Sequence, residues 1–223
     1  RTGKQDEPSQ PGDIDRITFG LRKFCRLAAS GNPTVLLLFF TPQLRVWRAP
    51  GSQLRDMYPL FISKEAGYRF LGYMQGQKQR LLGERGQKRV KRPELEEKYG
   101  YDTKYAMHVL RLGYQGVELM DTGKLVLPMI GEVRDFLLSV RKGEVSLAEV
   151  LKDAERLESS IKDFMRLSPC PDHPDRPAIE SWLQHTYLET WKGRQPIWQV
   201  NGLGFKEVAR DSLLNGALRG SKE

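Results

Sequence analysis

The chain has 223 residues, of which 39% are hydrophobic and 29% charged, with a formal net charge of +8. That balance excludes a disordered chain, and the length suits one large domain or two small ones. The positive excess favours an anionic partner, such as nucleic acid, a nucleotide or a phosphate-rich surface.

Two widely separated cysteines, Cys25 and Cys170, form no metal pattern with the histidines and exclude a disulfide framework. This usage fits a reducing, cytoplasmic setting. No apolar run approaches the ~18 residues of a membrane span, and no signal peptide opens the chain, so no membrane partner is expected. The sequence starts at Arg1 with a polar lead-in, which reads as a partial chain.

Residues 1–11 read as a flexible lead-in. Asp13 to Phe19 alternates weakly and predicts a short strand, with Asp13 and Asp15 on one side of it. A helix follows, with Leu21, Phe24, Cys25 and Ala28 as its apolar stripe and Arg22, Lys23 and Arg26 turned largely away. Gly31-Asn32-Pro33 stops it. Val35 to Phe40 is a buried run that periodicity alone does not divide between strand and helix. Residues 41–62 contain Pro42, Pro50, Gly51 and Pro59, and read as loop. Ser63 is expected to cap a helix running to about Leu82. Residues 83–101 read as a polar, basic connection, with Gly83 to Pro93 too polar to pack and expected to be mobile without a ligand.

Asp102 or Thr103 can cap the next helix, from about Thr103 to Met120. On it Lys104, His108 and Arg111 stand at i, i+4 and i+7 and share one face. Met107 and Leu110, with Val109 and Leu112 flanking, can supply the buried side. Three basic groups on one face, with no acid neutralising them, make physical sense when an anion sits between them. A helix after Gly131 stops at Lys142-Gly143. Ser146-Leu147-Ala148-Glu149 is a capping box, and the helix behind it runs to Ser168-Pro169. Pro177 starts a last helix to about Trp191. The remaining thirty or so residues read as a loosely attached tail.

Asp13-Ile14-Asp15 pairs two carboxylates, the kind of pair that holds Mg²⁺ in phosphoryl and nucleotidyl transfer. His173 and His185 have no acid or cysteine at ligand spacing and read as surface residues. Cys25 faces the core. Trp182, Tyr187 and Trp191 recur near helical spacing, which favours core packing over base stacking.

Gly12-Asp13-Ile14-Asp15 through Leu27, then Gly31-Asn32-Pro33-Thr34-Val35-Leu36, resembles the DNA polymerase beta-like nucleotidyltransferases of the RNA-repair pathway family. Lys104-Tyr105-Ala106-Met107-His108-Val109-Leu110-Arg111-Leu112 is similar to that family's Lys-x-Ala-x-His-x-x-Arg-Leu helix. Glu118, the Thr122-Gly123 turn, Val140 to Glu144 and Ser168 to Asp175 also fit. The resemblance spans about residues 12 to 191.

It implies an α+β fold: the C-terminal part of a polymerase beta-like nucleotidyltransferase sheet, followed by a mostly helical domain. The expected organisation is a partial nucleotidyltransferase domain over 1–48, a helical domain over 55–191, and the tail over 192–223. The implied activity is metal-dependent transfer of a nucleotide from a nucleoside triphosphate to an acceptor, with RNA or DNA as the expected class. Asp15 and Asp13 would be the catalytic, Mg²⁺-side carboxylates. Lys104, His108 and Arg111 would bind nucleotide, with Lys23 and Arg26 in support. The family opens on a Gly-Ser followed by an earlier acidic pair. Neither precedes Asp13, so this chain is expected to be inactive alone. The family's Glu in the helix after Asn-Pro is replaced here by Leu37 or Leu38. The rival expectation is a non-catalytic nucleic-acid-binding module using the net charge and the stretch from Lys88 to Arg92.

Overall fold

The structure, a computed structural model, describes residues 17–43, 49–84, 92–193, 198–201 and 204–207. Asp13, Asp15, residues 85–91 of the basic connection, and most of the tail lie outside the described residues. Helix α1 spans Leu21–Ala29 and buries Cys25, Ala28 and Ala29. Helix α2 spans Pro33–Phe40 and settles the undecided apolar run as helix. The reason is local: the Asn32 side chain accepts from the Val35 amide at 3.2 Å, and Pro33 takes the first helical turn.

Residues 41–62 are not all loop. They hold α3, Gly51–Asp56, and a single 3-10 turn over Tyr58–Leu60. Met57 and Phe61 beside that turn are fully buried, and this tertiary anchoring outweighs the proline and glycine signals. Helix α4 spans Lys64–Leu81. Ser63 precedes it but does not cap it with its side chain, and its buried hydroxyl has no partner among the described residues. Helix α5, Pro93–Tyr99, interrupts the expected connection.

Helix α6 spans Thr103–Thr122, α7 Gly131–Lys142, α8 Leu147–Leu167 and α9 Arg176–Trp191. Their ends follow the sequence signals. Asp102 caps α6, the Ser146–Glu149 capping box opens α8, and left-handed Gly123 and Gly143 close α6 and α7.

The core is built on α6, which lies against α4 on one side and α8 on the other. Two glycines make that approach possible. A Cβ at Gly113 would stand 2.8 Å from Leu157 Cδ1 and 3.1 Å from Met74 Cε. One at Gly116 would stand 2.9 Å from Ile161 Cδ1 and 3.1 Å from Phe70 Cβ. The N-terminal end of α6 is fastened separately. Tyr101 donates its hydroxyl to the Val145 carbonyl at 2.6 Å, and Arg141 donates to Thr103 Oγ1 at 3.0 Å. Helix α1 packs against α2 and α9.

The expected α+β class is overturned: the described chain is mostly helical. Residues 17–20, the described end of the segment read as a strand, run without regular structure into α1. The strands that are described, β1 (Trp198–Asn201) and β2 (Gly204–Glu207), form an antiparallel pair after α9, far from the expected sheet. A weak alternation over a few residues cannot make a sheet without partner strands. The apolar run able to serve as one is committed to helix by Asn32 and Pro33. No helix among the described residues is long and apolar enough to cross a membrane.

Candidate functional site

The site is built on the first half of α6. Asp102 has a fully buried side chain, and its Oδ1 accepts from the Lys104 and Tyr105 amides, both at 3.0 Å. Its Oδ2 takes the Arg92 guanidinium at 3.0 Å, while that guanidinium stands 5.4 Å over the Tyr105 ring. Arg92, the last residue of the basic stretch, is therefore a strut for the helix start and not a free surface cation. With the helix start held on both sides, the side chains one and two turns on are rigidly placed.

Lys104 is exposed, whereas His108 and Arg111 are half-buried. The geometry couples all three. The His108 imidazole is pushed down to about 4, first by burial and then by the positive charges of Arg111 and Lys104. Burial also lowers the Arg111 guanidinium, and its Nε is buried with no hydrogen-bond partner among the described residues. No carboxylate contributes to either group. A half-buried cation beside a ring held neutral by burial and by positive neighbours is costly in a free protein. The same arrangement is complementary to a polyanion, which would supply the missing negative charge and take the open donor.

The polar stripe extends beyond the three residues singled out from sequence. Gln115 follows Arg111 at i+4 and is buried at 3% exposure. Glu118 follows at i+7, accepts the Val126 amide at 3.2 Å, and is held above the usual carboxylate range by burial. Continuing the helical spacing by one more step identifies Gln115 as the next residue on that face.

Lys23 and Arg26 stand elsewhere. Both are exposed on α1, whose packing partners are α2 and α9, and Arg26 lines a cleft against α9. Asp13 and Asp15 belong to the segment outside the described residues. Among the described residues no group of three His, Cys, Asp or Glu side chains could hold a metal ion. Cys25 and Cys170 are free and buried, and burial pushes the Cys25 thiol up to about 12, which removes it as a nucleophile.

The surface reading of His173 gains a partner, and the core reading of the α9 aromatics divides. His173 is exposed but not isolated: its Nδ1 lies 2.8 Å from Glu65 Oε1, and Arg176 donates to Glu65 Oε2 at 2.8 Å. Glu65 is over a hundred residues away, so ligand spacing along the chain could not reveal it. Of the three recurring aromatics, Trp182 is fully buried in the core, but Trp191 is 78% exposed.

The exposed Lys104 and the half-buried Arg111, whose Nε is left open, give this helical protein a cationic stretch along the first half of α6. The chain matches the model of RlaP, the RNA repair pathway DNA polymerase beta family, over residues 3–184, and it belongs to that family. No curated protein and no solved structure matches it.

Proposed function

We propose that this chain acts in nucleotidyl transfer from a nucleoside triphosphate to a nucleic-acid acceptor, with the α6 stripe as the triphosphate site. The carrying observation is the half-buried Arg111, with an open Nε and no compensating carboxylate, beside a His108 held neutral by burial and by two cations. Arg111 would hold phosphate oxygens through its planar fork, and Lys104 would add an exposed point charge at the stripe's outer end. His108 presents a neutral ring to an incoming polyphosphate, and the anion favours proton uptake at that ring.

The Mg²⁺ reading rests on the sequence. Asp13 and Asp15 would be its carboxylates, and the metal would supply positive charge to offset that of the transferred phosphate. Family membership supports the nucleotidyl-transfer class, and the α6 stripe supports the triphosphate as its anionic substrate.

The test is titration calorimetry with a nucleoside triphosphate, alongside Mg²⁺-dependent incorporation of a labelled nucleotide into an oligonucleotide. Triphosphate binding that is weakened in Arg111→Ala supports the reading, as does incorporation that requires Mg²⁺. Metal-independent nucleic-acid binding with no triphosphate affinity refutes it in favour of a binding module.

A further inference from the structure

A second cationic feature lies away from α6. A cleft of about 460 Å³ opens between α1 and α9, within the size range of ligand sites. Its rim carries Arg22 and Arg26 from α1 and Arg176 from α9. Arg22 and Arg26 stand at i and i+4 on one helical face, and neither side chain is paired among the described residues. Helix α1 contains Arg22, Lys23 and Arg26 and no acid. Arg176 is fixed by Glu65 and by the Ala29 carbonyl at 3.4 Å. The one acid lining the cleft is Glu180. The floor is apolar, formed by Cys25, Ile179 and Leu183, all buried.

The floor continues along α9. Ile179, Leu183, Tyr187 and Trp191 follow one another at i+4 intervals, so they make one face. The Tyr187 hydroxyl accepts the Arg22 amide at 3.4 Å, which joins this face to the start of α1. Beyond it the Tyr187 and Trp191 rings stand 6.0 Å apart, tilted by 31°, and Trp191 is exposed. The cleft's arginines and the exposed indole one turn beyond Tyr187 thus lie along one α1–α9 face and offer two chemistries: cation for phosphate, and a flat aromatic face for a base.

We infer that single-stranded nucleic acid binds across the α1–α9 face, its phosphates on Arg22 and Arg26 and its bases on the Tyr187–Trp191 platform. The inference takes the acceptor class from the proposed function and assigns it a place separate from the triphosphate stripe. A globular acidic protein could pair with the arginines but offers no flat base to the aromatic pair.

The experiment is fluorescence anisotropy with short labelled single-stranded RNA and DNA, titrated against the full chain over a salt series. Arg22→Ala/Arg26→Ala should weaken binding at least tenfold and flatten the salt slope by about 1.4, two contacts at ~0.7 each. Trp191→Ala should weaken it about tenfold, and Trp191→Phe should restore most of that, since stacking needs only a π face. These side chains are exposed, so melts should hardly change. Arg166→Ala, the loss of one charge on the exposed face of α8, should cost little.

Losses in the cleft variants no larger than for Arg166→Ala would overturn the inference. So would free nucleoside monophosphate competing as well as the strand, which would make the site a mononucleotide pocket. RNA and DNA arms identify which strand binds more tightly. Lys104→Ala/Arg111→Ala should abolish triphosphate binding while retaining strand binding, so failure of one site is distinguishable from failure of the other.

Discussion

His108 provides a direct test of the physical argument. In an unfolded chain its imidazole titrates near 6.5, and in the fold it is pushed down to about 4. Between these values the unfolded state takes up a proton that the folded state refuses. The stabilisation is therefore complete above pH 6.5 and is lost as pH falls towards 4. Integrating the two titrations gives a loss of about 2 kcal/mol by pH 5 and about 3 kcal/mol by pH 4. For a chain of this size, the pH 5 loss corresponds to a fall in Tm of roughly 4–8 °C. The assay is urea unfolding of wild type and His108→Gln at a series of pH values from 7.5 down to 4.5. Other groups titrate equally in both proteins, so the difference between the curves isolates His108. Wild type should lose its advantage steadily below pH 6.5. Parallel curves would refute the claim that burial and the two cations hold this ring neutral. A bound triphosphate should act in the opposite direction. It raises the imidazole's proton affinity, so binding should take up a proton and tighten as pH falls from 7 to 5.5.

Arg111→Ala and Lys104→Ala should each weaken triphosphate binding by ~1–3 kcal/mol by calorimetry, the scale of a charge-assisted hydrogen bond. Variants that melt much earlier yet bind normally once folded would make the stripe structural. The Glu65 carboxyl is held low by its hydrogen bond to His173 and then by Arg176, so its contribution is present above about pH 4.5 and lost as pH falls through the carboxylate range. Glu65→Gln should cost up to ~1 kcal/mol at pH 7 and progressively less as pH falls below about 4.5, measured by thermal melts. Gly113→Ala should destabilise despite a helix-propensity gain of ~1 kcal/mol, because the methyl meets Leu157 at 2.8 Å and overpacking costs ~1–3 kcal/mol. A urea midpoint above wild type would show that Leu157 and Met74 move aside freely.

Much of the helical body is legible in the residues themselves. Asp102, the Ser146–Glu149 box, Pro177 and the glycines after α6 and α7 mark real helix ends, because capping is decided by atoms within one turn. The α6 stripe is legible for the same reason: a helix converts i, i+4 and i+7 into one face without help from the rest of the chain. Where the sequence reading errs, distant contacts prevail. Met57 and Phe61 pull a proline-marked stretch into the core, and Ser63 is buried and its hydroxyl left without a cap partner. The sheet that the family resemblance implied is not found among the described residues, which are mostly helical. The depth of Arg111 and His108, which turns a basic face into an electrostatic problem, comes from the packing of α6 among its neighbours. So do the meeting of Arg22 with Arg176, the pairing of Glu65 with His173, and the division of the α9 aromatics into buried Trp182 and exposed Trp191. Local spacing sets which residues share a face. Only tertiary structure decides how far that face lies from water and what stands opposite it, because desolvation and long-range pairing depend on segments brought together from across the chain.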